Sequence, residues 1–83
     1  MLNLKKEEEM KKFDRITIDP KVFGGKACIR GLRFPVSKIL DLLAAGMSSE
    51  EILSDYPYLE KEDIVQAVKY AAWVLQEETV EVT

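Results

Sequence analysis

The chain has 83 residues, enough for one domain, and its 47% hydrophobic and 33% charged content is that of a globular protein. It contains no histidine and one cysteine, Cys28, which removes the commonest general base, the commonest metal ligand and any intrachain disulfide. The formal charge of -3 is not that of a dedicated nucleic-acid binder. No apolar run approaches the roughly 20 residues of a membrane helix; the single cysteine makes a reducing, cytoplasmic setting the expectation, and no cofactor is expected.

The first twelve residues, MLNLKKEEEMKK, lack a sustained apolar stripe and read as a flexible segment. Lys5 and Glu9 stand at i,i+4 and would support one helical turn. A single domain is expected over 13–77, followed by a tail over 78–83. Its first part, 13–36, reads as a β-rich arm. Arg15-Ile16-Thr17-Ile18 is a β-branched, alternating run and predicts a short strand. Asp19-Pro20 and Gly24-Gly25 mark turns. Ala27-Cys28-Ile29-Arg30 predicts a second strand, Gly31 a turn, and Arg33-Phe34-Pro35-Val36 a third extended piece. Pro35 disfavours helix at Phe34, so the first helix should begin after it.

Three helices are expected next. The first runs from about Ser37, as its cap, to Ala45, with Val36, Ile39, Leu40, Leu42 and Leu43 on its apolar face and Gly46 as its left-handed stop. In the second, Ser48-Ser49-Glu50-Glu51 fits a capping box, and Met47 stands at staple spacing from Ile52. Pro57 ends it. The third runs from near Glu60 to about Gln76, with Ile64, Val65, Val68, Ala71, Ala72 and Leu75 at three- and four-residue steps. Thr79 to Thr83 alternates like an edge strand. The fold class is therefore mainly α, a three-helix helix-turn-helix unit behind a short β arm.

The total charge conceals an asymmetry. Residues 15–38 carry six cations against Asp19 alone, while residues 41–83 carry Lys61 and Lys69 against ten acids. A bipolar molecule with two kinds of contact surface is one reading; salt bridges between the arm and the helices are the other.

Enzymatic chemistry is not expected. Cys28 has no histidine to activate it and reads as a buried, inert thiol. The acids near Glu60 are explained by the helix dipole. Gly24-Gly25-Lys26 lacks the spacing of a P-loop. In a helix-turn-helix unit the last helix meets DNA N-terminal end first, but here that end is Glu60-Lys61-Glu62-Asp63, which repels phosphate. Only Gln66 and Lys69 could read bases further along. Phosphate contact falls instead to the arm: Lys21, Lys26, Arg30, Arg33 and Lys38, with Arg15. Tyr58, Tyr70 and Trp73 are the candidate interface of a homodimer, being residue types enriched at hot spots.

These residues also carry a resemblance. Ile16-Thr17-Ile18-Asp19-Pro20, then Gly24-Gly25-Lys26-Ala27-Cys28-Ile29-Arg30-Gly31-Leu32-Arg33-Phe34-Pro35-Val36, resembles the signature of the domain-of-unknown-function 433 family. The likeness continues through Leu42 to Ser48, Tyr56-Pro57, Leu59, Asp63-Ile64 and Ala67, covering roughly residues 14–73. Position 27 is Ala where Pro is common, and the third helix opens on Glu60 where Ser or Thr is usual. The resemblance implies a homeodomain-like prokaryotic protein similar to the antitoxin half of a toxin–antitoxin pair. Its partners would be a nuclease-like toxin and, secondarily, DNA. The alternative is a structural or oligomerisation module without DNA-binding activity.

Overall fold

The computed structural model describes residues 8–77. The expectations for Lys5, for the remainder of the N-terminal segment before Glu8, and for the tail 78–83 lie outside them. The order is β1 (Ile16–Ile18), a 3-10 turn (Phe23–Gly25), β2 (Ala27–Ile29), α1 (Val36–Ala44), α2 (Ser49–Asp55) and α3 (Lys61–Glu77). The protein is thus mainly helical, three helices behind a two-stranded antiparallel hairpin, as expected.

β1 and β2 pair with Ile16 opposite Ile29, Thr17 opposite Cys28 and Ile18 opposite Ala27. One further bond, from the Arg30 N–H to the Arg15 carbonyl at 2.7 Å, places these two arginines opposite each other. The chain then reverses at Arg30-Gly31. Both residues have positive φ, 46° and 69°, and the Leu32 N–H closes onto the Ile29 carbonyl at 2.7 Å. This is a type I′ turn, and Gly31 accepts its left-handed position without strain. The third extended piece returns along β2, through a bridge from Pro35 to Cys28. Cys28 is buried.

The first helix begins one residue earlier than expected, and Ser37 does not cap it. Pro35 occupies the cap position with extended ψ and no side-chain bond; its carbonyl accepts from the Lys38 N–H at 3.1 Å. Proline has no N–H to lose and its fixed φ suits entry to a helix, so the turn closes there. Ser37 is already inside it. The end is as expected: Gly46 has φ 96°, its N–H reaches Leu43 at 3.0 Å, and the Met47 N–H reaches Leu42 at 3.1 Å. That pair of bonds is a Schellman motif.

α2 carries both halves of the expected capping box. Ser48 Oγ accepts from the Glu51 N–H at 3.1 Å, and Glu51 Oε1 accepts from the Ser48 N–H at 3.0 Å. These bonds hold the Glu51 carboxyl below its ordinary pKa. Ser48→Ala is expected to lower stability by about 1 kcal/mol, read as a lower thermal midpoint with unchanged helical circular dichroism.

The core joins the hairpin to the helices. Ile16, Ile29, Phe34, Val36, Ile39, Ile52, Leu59, Ile64 and Ala67 form one buried cluster. Burying the last two on α3 requires that helix to turn one face to α1, α2 and β1. Its opposite face is left to solvent.

Candidate functional site

The first turn of α3 is built differently from what its composition suggests. Three carboxylates facing DNA were expected there, but Asp63 is fully buried. Its Oδ1 accepts from Arg15 Nη1 and Arg30 Nε, each at 2.9 Å. Its Oδ2 accepts from Arg30 Nη2 at 2.9 Å and from the Glu60 N–H at 2.8 Å. Asp63 thus anchors the hairpin and caps α3 with the same carboxylate. Glu60 is also engaged, accepting from Arg15 Nη1 at 2.6 Å. Only Glu62 of the three is exposed and without an ion pair among the described residues.

The electrostatics follow from these contacts. Burial pushes the Asp63 carboxyl up, but the Arg30 fork, the Glu60 amide and Arg15 outweigh it. The group titrates below the ordinary aspartate value. Arg15 and Arg30 are held above theirs, Arg15 first by its bond to Glu60 and Arg30 by its bond to Asp63. Two cations opposite each other across a hairpin repel; the attraction of both to the buried carboxylate between them outweighs that repulsion.

The expected site residues separate into two groups. Arg30 is committed to Asp63 and to the Tyr58 carbonyl at 3.0 Å. Gln66 is committed too: its Oε1 accepts the Arg15 N–H at 2.6 Å and its Nε2 donates to Asp14 at 2.9 Å. Lys21, Lys26, Arg33, Lys38 and Lys69 are exposed. Lys38 lies over the Phe34 and Tyr56 rings, 5.0 and 4.9 Å from their centroids. Of the aromatic residues, Tyr58 is exposed, whereas Tyr70 and Trp73 are half-buried. Phe13 meets Tyr70 edge-on at 5.4 Å and Trp73 at 5.6 Å, and Trp73 Nε1 donates to Glu9 at 2.9 Å. Those two rings hold Phe13 on α3, and Trp73 alone also holds the preceding turn through Glu9.

One concave feature went unnoticed in the sequence. A groove of about 430 Å³ lies between α1 and α3, lined chiefly by Val36, Leu40, Tyr70, Ala71, Val74 and Leu75, with Lys26 at its rim. The apolar periodicity of both helices was legible, but not that their packing leaves a gap. Burial raises the Tyr70 phenol above its ordinary pKa at this wall. Among the described residues no three acidic, cysteine or histidine side chains group as a metal site would require.

Comparisons with known proteins agree with this architecture. The chain is similar to an uncharacterised protein, y4eO, of Sinorhizobium fredii (strain NBRC 101917 / NGR234): 39% identity over 56 residues, which is 68% of this chain and 25% of that protein. The chain therefore spans about a quarter of that relative's length. It is also similar to the crystal structure of a DUF433 member from Anabaena variabilis ATCC 29413, at 27% identity with a TM-score of 0.70. That alignment covers 93% of this chain and 80% of the other. The profile described as "Protein of unknown function (DUF433)" matches residues 16–71, from β1 through most of α3, and the chain belongs to that family.

Proposed function

We propose that this chain is an antitoxin-like interaction module that binds a nuclease-like toxin through the groove between α1 and α3. The observation that carries the binding surface is the groove itself. Its walls are almost wholly apolar and open to solvent, so a partner's side chain can fill it. The resemblance noted above supplies the class of partner. Exposed Asp41, Glu50, Glu51 and Asp55 on α1 and α2 suit a basic protein surface, which such a partner would present. On this reading the chain works by binding, with no catalytic residue.

The test is copurification with the product of a neighbouring nuclease-like gene. Leu75 is 66% exposed, so Leu75→Glu perturbs the groove without disturbing the core. It is expected to weaken the complex at least about tenfold. Equal binding by wild type and variant would remove the groove from the proposal.

DNA contact is the second part of the reading. The groups free to meet phosphate are Lys21, Lys26, Arg33, Lys38 and Lys69, and not Arg30 or Gln66. A gel shift on the DNA upstream of the gene is expected at low salt and should weaken as salt rises. No shift at either low or moderate salt would remove DNA from the reading and leave the toxin-binding part to its own test.

A further inference from the structure

The outward face of α3 is apolar where a surface helix is usually polar. Val65, Val68 and Ala72 recur at steps of three and four, the spacing of a helix-pairing seam. Val68 is 44% exposed; Ala72 is exposed and Val65 half-buried. Along one edge of this stripe stand Glu62 and Lys69, one heptad apart, opposite in charge and both exposed. Neither takes part in a salt bridge among the described residues.

We infer that α3 pairs antiparallel with α3 of a second copy of this chain about a two-fold axis. The charges select the occupant and the register. In an antiparallel pair, the same edge of each helix faces its counterpart, and two-fold symmetry makes every contact occur twice. Setting Val65 against the partner's Val68 brings Glu62 beside the partner's Lys69. Symmetry then sets Lys69 beside the partner's Glu62. Ala72 lies over the aliphatic stem of the partner's Lys61, whose amine can still reach water. A parallel pair would instead oppose like positions and gain neither ion pair. Domains of this size commonly complete their apolar burial by association. The paired span ends before Leu75, so the groove stays open in the dimer and the inference stands apart from the toxin-binding reading; Lys69, paired in the dimer, then leaves Lys21, Lys26, Arg33 and Lys38 as the cations open to phosphate.

The test is sedimentation equilibrium of the full chain across concentration at low and high salt. Wild type is expected to be dimeric, with weaker association at high salt. Lys69→Glu and Glu62→Lys each place like charges together twice and are expected to weaken the dimer about tenfold. The double variant, with both charges exchanged, is expected to restore it. Val68→Asp should give a monomer with wild-type circular dichroism, while Leu75→Glu should remain dimeric. A wild-type monomer at high protein concentration would overturn the inference. So would a double variant no better associated than either single one.

Discussion

Asp63→Asn is expected to lower stability by about 3 kcal/mol, read from chemical or thermal unfolding. Removing one partner of a buried ion pair costs roughly 3–5 kcal/mol. The lower end applies here because the Arg15 and Arg30 side chains keep 27% and 33% of their surface exposed, so water solvates part of the charge left behind. The variant retains side-chain shape, so the loss reports on charge and not on volume. Glu50→Gln removes an exposed carboxylate from the first turn of α2 and is expected to have little effect. Equal losses from the two variants would mean that the cluster is not what joins the hairpin to α3. The same carboxylate sets an acid limit. Its folded pKa is lowered, so its contribution is complete above the unfolded value, about 3.9, and is lost as pH falls through the folded one. Wild-type stability should drop most steeply below about pH 4, and the Asp63→Asn profile should be flatter there.

Phe34→Ala is expected to cost about 3–5 kcal/mol, the range for deleting a buried aromatic ring. Phe34 is 2% exposed. It stands at the return from β2 to α1 and meets Tyr56 edge-on at 5.0 Å and Tyr58 at 6.2 Å. The ring therefore joins the hairpin, the start of α1 and the turn after α2. Truncation leaves a cavity bounded by three elements that cannot all move to fill it. Phe34→Leu retains much of the apolar volume and should cost less. The Lys38 amine would also lose one of its two aromatic partners, so Phe34→Ala is expected to unfold at lower denaturant concentration with its near-ultraviolet tyrosine signal altered even where still folded.

What sequence reasoning could see divides by the range of the interaction. The Ser48–Glu51 capping box and the Gly46 stop are written within six residues of themselves, because the orphan amides and carbonyls they satisfy belong to the adjacent turn. The Ser37 cap failed for an equally local reason: Pro35 had already closed the first turn. The Asp63 cluster is different. Its arginines lie 33 and 48 residues away, and an acid at a helix N-terminus is already explained by the dipole. One signal was available. Antiparallel pairing of the two expected strands aligns Arg15 with Arg30, and two opposed cations call for an anion.

By itself the sequence determined the element order and the helix stops, since capping depends on neighbours along the chain; it did not determine the buried face of α3, where Ile64 and Ala67 enter the core while Val68, Ala72 and Leu75, expected on the same apolar face as Ile64, stay exposed. Only the tertiary structure decided which charges are available. Two of the arm's six cations and two of the acids after residue 41 cancel in and beside the interior. The surface of α3 is left less acidic than its composition, and its apolar stripe outward. The physical reason is that a charge's partner is chosen by packing, and packing brings together groups that sequence separation hides.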